Sequence, residues 1–85
     1  MYILNVLKPG SVPHLYFQFL IEISSVRSKK VIEALHDHLV QGHSRIISCN
    51  NHQVGQGYLS VKIKELKQLN RKVCEFYSSY TSLKV

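Results

Sequence analysis

Residues 44–69, SRIISCNNHQVGQGYLSVKIKELKQL, restrict what this chain can fold into more than any other stretch. Ser44 offers an N-cap for a short helix, and a turn near His52, Gln53 and Val54 ends it. A longer helix starts around residues 55–57, with Leu59, Ile63, Leu66, Leu69 and Val73 on one apolar stripe. At ~100° per residue, Ser60, Lys64, Lys67 and Arg71 gather within roughly 60° on the opposite side. Lys62 breaks the pattern and projects toward the apolar stripe, from which its stem can snorkel outward. A short helix, a tight turn and a longer basic helix follow the helix-turn-helix plan, in which the second helix presents side chains to a DNA groove.

The rest of the chain is read as one small all-α domain over residues 1–85, with about four or five helices. Its core is modest, so oligomerisation is expected to contribute to stability. Residues 1–12 form a loosely held leader, broken by Pro9 and Gly10 and followed by Pro13. A helical platform spans 13–41, the helix-turn-helix 42–73 and a polar-aromatic tail 74–85. Within the platform, LYFQFLIEI has apolar residues on nearly every side, and periodicity does not separate strand from helix. Helix is preferred, because the neighbouring segments are helical and offer no partner strand. Residues 28–41 are clearer: Ser28 can cap them, Val31, Leu35 and Leu39 recur at fourfold spacing, and Gly42 stands where a left-handed C-terminal cap belongs. Arg27, Lys29 and Lys30 near the start oppose the helix dipole, which suggests that they serve an anionic surface. Leu15 and Phe19 on the apolar helix, with Val31 and Leu35 on the next, are candidate self-association residues.

Charge is unevenly placed. Residues 42–85 carry seven Lys and Arg against two acids, whereas residues 1–41 carry four against three. A basic half that coincides with the suspected reader favours a polyanionic partner, since each phosphate contact releases condensed counterions. The acids Glu33, Asp37, Glu65 and Glu75 are few and are placed on helix surfaces. No nucleophile, base and orienting group pair by spacing, so an enzyme is not expected. His36 and His38 point apart on a helix, and no standard zinc spacing involves them, His43, His52 or the cysteines. No metal, cofactor or small-molecule substrate is therefore expected. Cys49 and Cys74 form no CxxC pair, and Cys49 is read as a small buried packing residue. MYILNVLK lacks the features of a secretory signal, and the nearly apolar run from Leu15 to Ile23 is too short to span a bilayer. A cytoplasmic location without membrane contact is the expectation.

The expected DNA contacts follow from these placements. Arg45, Lys62, Lys64 and Lys67 supply phosphate contacts, and Ser60 lies among them. Cys49 lets the two helices approach. Gly55 and Gly57 flank Gln56 and permit unusual backbone angles close to a phosphate. Gln56 could pair with an adenine edge in a major groove. Tyr58 either approaches the DNA or covers the core, with the core role favoured.

The run FLIEISSVRSKKVIEALHDHLVQGHSR, then Cys49, then Gly57-Tyr58-Leu59-Ser60 and Leu66, resembles the PapB-type regulators of fimbrial adhesin biosynthesis in enteric bacteria. The similarity covers roughly residues 17–70, and its most specific pieces are Gly42-His43-Ser44-Arg45 with Cys49, and Gly57 to Ser60. It implies a small all-helical, nucleoid-associated DNA-binding protein that binds A/T-rich double-stranded sites as a homo-oligomer and controls phase-variable fimbrial expression. It also implies that Arg45 and Cys49 lie in the first helix of the DNA-binding unit, and Gly57 to Ser60 at the start of the second. The chain departs from the family pattern at 46–51, which is less charged, and at His52, where an aromatic residue is usual. The competing reading is a protein-interaction module that binds a larger regulator without touching DNA. An RNA-binding protein fits less well, because aromatic residues are not interleaved with the basic stripe.

Overall fold

Helix-forming segments alternate with short breaks at 24–28, 40–44 and 53–55, and the computed structural model shows the consequence in residues 6–83, with side chains described as far as Tyr80. Four helices follow in order: α1 (His14–Ile23), α2 (Lys29–Leu39), α3 (Arg45–His52) and α4 (Gln56–Leu83). There is no strand among the described residues. The fold is all-α, and LYFQFLIEI is a helix. Residues 1–5 of the expected leader, and Lys84 and Val85 of the expected tail, lie outside the described residues.

One apolar cluster draws on every helix. Phe17 and Leu20 come from α1, Val31, Ala34, Leu35 and Leu39 from α2, Cys49 from α3, and Leu59, Ile63 and Leu66 from α4. The core residues of α1, α2 and α4 recur at three- and four-residue spacing, as on the apolar side of an amphipathic helix, while α3 contributes Cys49 alone. Val31 and Leu35 are thus core residues at 3% and 0% exposure, which corrects their expected place on a self-association face. Residues spaced by four on α2 are as well suited to a core stripe as to a surface patch, and sequence spacing alone does not separate the two. On α1 the outcome is different: Leu15, Phe19 and Ile23 stand 78%, 43% and 44% exposed, on the side turned away from Phe17 and Leu20.

The segment before α1 is not loose over its second half. Leu7 and Val12 are buried in the core. Gly10 N–H donates to His38 O at 3.1 Å, and Val12 N–H to Leu39 O at 3.1 Å, so the strap satisfies carbonyls at the end of α2. Gly10 and Gly42 meet back to back, with φ of +74° and +85°. A Cβ on Gly10 would lie 3.1 Å from Gly42 Cα, a backbone atom that cannot swing away. Gly42 thus takes the left-handed conformation expected of it, and His43 N–H returns to Asp37 O at 2.9 Å.

Two local expectations change. Ser28 precedes α2 without a side-chain capping bond. The Arg27 guanidinium turns away from α2 toward α1, donating to the carbonyls of Ser24 at 2.9 Å and Val26 at 2.7 Å, and more weakly to Ile21 at 3.3 Å. A cation there complements the negative C-terminal end of α1, which accounts for a charge that looked misplaced against α2.

Candidate nucleic-acid interface

Helix α3 begins as its sequence dictates: Ser44 Oγ accepts from Ile47 N–H at 3.2 Å. It ends at Gln53, which adopts a left-handed conformation at φ 55° and donates its N–H to Cys49 O. A non-glycine residue there carries a modest strain, since its Cβ crowds the following carbonyl. Val54 N–H also reaches Cys49 O, at 3.0 Å, and Val54 is buried, so the turn is pinned from the core side. Gly55 and Gly57 do not take positive φ, and a Cβ on either would meet nothing within 4 Å. The unusual backbone expected of them is found instead at Gln53. What the two glycines provide is a bare N-terminal end of α4.

Cys49 is buried as expected, and burial pushes its thiol above the ordinary value, with the nearby Arg45 charge opposing that only in part. Ser48 beside it is completely buried, and its Oγ has no hydrogen-bond partner. Small side chains at 48 and 49 leave room for α3 to approach its neighbours. The departures from the family pattern at Ile46, Ile47, Asn50 and Asn51 fall on exposed positions, with Ile46 and Ile47 at 56% and 51% exposure. They therefore change the outer surface of α3 and leave its packed side alone. His52, the remaining departure, donates through Nε2 to Asp37 Oδ2 at 2.7 Å and ties the end of α3 to α2.

Helix α4 carries the basic face. Arg45 reaches across from α3, and its Nη1 donates to Ser60 Oγ at 2.9 Å. Arg45, Ser60, Lys64 and Lys67 line a single groove, whose other wall includes Leu7 and Pro9 of the strap. Lys64 and Lys67 are exposed. Arg71, left out of the expected contacts, is exposed one turn beyond Lys67 on the same side of α4. Gln56 and Gly57 are exposed on the first turn, where α4 presents its positive end.

Lys62 and Tyr58 belong elsewhere. Lys62 is only partly exposed; its Nζ lies 3.4 Å from Glu65 Oε1 and 5.4 Å from the Tyr58 ring centroid. Glu65 also accepts from Ser25 N–H at 2.8 Å and from Ser25 Oγ, which ties α4 to the α1–α2 loop. The Ser25 backbone bond lowers the Glu65 pKa, burial opposes this, and the Ser25 hydroxyl and Lys62 assist it. Lys62 is therefore engaged in structure rather than offered with Lys64 and Lys67. Tyr58 is 51% exposed, so the core role favoured for it is corrected. Glu65 and Asp37 are partly buried and bonded to side chains outside their own helices, Ser25 and His52, and are not simple surface acids. The strap wall and the Glu65–Ser25 tie were missed by sequence reasoning. No periodic signal could have found them, because both join residues far apart in the chain.

Among the described residues, no three His, Cys, Asp or Glu side chains are placed to hold a metal ion together. No described helix is long and apolar enough to cross a membrane.

Residues 3–80 match the PapB family, described as adhesin biosynthesis transcription regulatory protein. The chain is 48% identical over 67 residues to the regulatory protein FanB of Escherichia coli, covering 79% of this chain and 68% of that one. It is 42% identical over 77 residues to the major pilus subunit operon regulatory protein PapB of Escherichia coli, covering 91% and 74%. The crystal structure of E. coli FocB superimposes with a TM-score of 0.82 at 39% identity, covering 89% of this chain and 86% of that one.

Proposed function

Because the chain belongs to the PapB family of adhesin biosynthesis transcription regulators, we propose that it binds DNA through α3 and α4 acting as a helix-turn-helix. The observation that carries this reading is the convergence of Arg45, Ser60, Lys64 and Lys67 on one groove, with Arg71 continuing the face along α4. Three cations on one side of α4, with Arg45 reaching across from α3, can follow a phosphate backbone, which fixes register without reading sequence. Gln56 and Gly57 on the bare first turn of α4, with Tyr58 beside them, are the groups that approach base edges. Cys49 supports the site by letting α3 lie close. The preferred target is A/T-rich DNA near fimbrial or adhesin genes, as the family resemblance implies. Such sites can be read in the major groove or through minor-groove width.

The active form is a homo-oligomer, with Leu15, Phe19 and Ile23 of α1 as the contact stripe. Three large apolar side chains at fourfold spacing on one exposed face support this, since burying them in a second copy removes apolar surface from water.

Competition binding at physiological salt tests the proposal. An A/T-rich duplex from upstream of the adhesin operon should displace labelled site DNA at a concentration at least about tenfold below that of a random duplex. Equal competition would remove the sequence preference. Absence of binding to either duplex would favour a protein-interaction module that uses the α1 stripe on a larger regulator.

A further inference from the structure

His38 borders the groove of Arg45, Ser60, Lys64 and Lys67, and at 8% exposure it is the one buried titratable group there. Its carbonyl accepts from Gly10 N–H of the strap at 3.1 Å, and its ring Nδ1 lies 2.8 Å from His43 O in the α2–α3 loop. A carbonyl oxygen only accepts, so Nδ1 carries the hydrogen and, in the neutral ring, Nε2 carries the lone pair. Nε2 has no hydrogen-bond partner among the described residues, yet it is not sealed from solvent. The space that the ring borders is the groove itself.

The charges around that ring are of one sign. Arg45 comes from α3, and Lys64 and Lys67 come from α4; no acid among the described residues lines the groove. The strap brings Leu7 and Pro9 to it, with Lys8 exposed between them. From the loop, the His43 ring turns to Asp37, whose Oδ2 is 3.9 Å from His43 Nδ1 and accepts from His52 Nε2 at 2.7 Å. Helix α1 meets a different side of α2, where Phe17 stands edge-on to His36, about 200° around the helix from His38.

We propose that His38 is a further phosphate contact of this groove, one that works only when its ring is protonated and so ties DNA binding to pH. The proposal rests on the reading of α3 and α4 as the DNA-binding unit. With Nδ1–H spent on His43 O, a neutral ring offers the groove a lone pair, which a phosphate oxygen does not meet. A proton on Nε2 turns that lone pair into a charged donor, and the contact becomes a charge-assisted hydrogen bond. Nδ1 keeps its own bond in both states, so the ring does not have to turn. Histidine changes charge between about pH 5 and 8. Because phosphate favours the protonated ring, binding takes up a proton; affinity rises as pH falls through that range and is lost as pH rises. The contact addresses a backbone oxygen, so it acts on any sequence.

The test is duplex binding by fluorescence anisotropy at about pH 6 and about pH 8 and constant ionic strength, with the full chain and its His38→Asn variant. The asparagine amide can replace Nδ1–H toward His43 O, and it puts nothing in the place of Nε2. The unaltered chain should bind at least about threefold more tightly at the lower pH, by the same factor on A/T-rich and random duplex. His38→Asn should bind within about twofold of the unaltered chain at the higher pH and lose the pH dependence. In parallel, the nitrogen-15 resonance of His38 Nε2 in the unaltered chain, read near pH 7, should move toward the N–H range when duplex is added. An Nε2 resonance unmoved by saturating duplex, or a pH dependence that survives in His38→Asn, overturns the proposal and leaves the helix-turn-helix reading in place. Absence of duplex binding at both pH values overturns the two together.

Discussion

Lys62 and Lys64 are two residues apart on one helix, yet the fold gives them different work. Lys64 faces the groove with Arg45 and Lys67, while Lys62 lies against Glu65 and the Tyr58 ring. Lys64→Ala and Lys67→Ala should each weaken DNA binding severalfold on any sequence, as loss of a phosphate contact does. Lys62→Ala should leave affinity within about twofold and change stability by less than about 1 kcal/mol, the usual range for a partly exposed pair. Arg45→Ala should weaken binding with the helical circular dichroism signal intact; loss of that signal would make Arg45 structural. Glu65 provides a pH signature. Its pKa is lowered in the fold, so its stabilisation is present above the usual value of 4.5 and is lost as pH falls through the lower folded value. Glu65→Gln should therefore cost about 1–2 kcal/mol at neutral pH. It should also flatten the acid limb of a urea-melt series; an unchanged limb would place the titration on other carboxyls. The alternation of lysines with leucines made the face of Lys64 legible from sequence. The engagement of Lys62 was not legible, because Ser25 reaches Glu65 from 40 positions away.

At the scale of elements, the boundaries of α3 and the start of α4 could be read because their signals are local: a serine cap, a polar turn and a heptad-like stripe. The end of α4 was not legible in this way, since the helix runs on through the expected tail to Leu83. Contacts of the strap could not, since Leu7 and Val12 gain their meaning only once α2 ends beneath them. The back-to-back glycines show the physical content of that contact. Gly10→Ala should destabilise by about 1–3 kcal/mol, because it combines a left-handed φ with a Cβ 3.1 Å from Gly42 Cα. Gly55→Ala, with open space around it, should stay within about 0.5 kcal/mol. Urea midpoints at unchanged slope would check both. Ser48→Ala, which removes a buried hydroxyl with no hydrogen-bond partner, should be neutral or slightly stabilising. Core and surface residues at fourfold spacing look alike in a sequence, so spacing does not tell that Val31 and Leu35 are buried whereas Leu15 and Phe19 are exposed. The difference lies in which helix face its neighbours cover.

Across the whole molecule, an extent of 48 × 21 × 18 Å gives α4 the role of a long basic edge on a small helical platform. The platform exposes its apolar stripe on α1, and a Phe19→Glu variant should shift sedimentation toward monomer while retaining helical content. A monomeric unaltered chain, both free and on DNA, would remove the oligomer from the proposal. On the proposed reading, Arg45, Lys64, Lys67 and Arg71 meet a phosphate backbone together. The salt dependence of DNA binding measures this directly. Four phosphate contacts predict log affinity falling against log salt with a slope between about −3 and −4, and a Lys64→Ala, Lys67→Ala double variant should lose about two units of that slope. A slope near zero, or one untouched by the double variant, would contradict it.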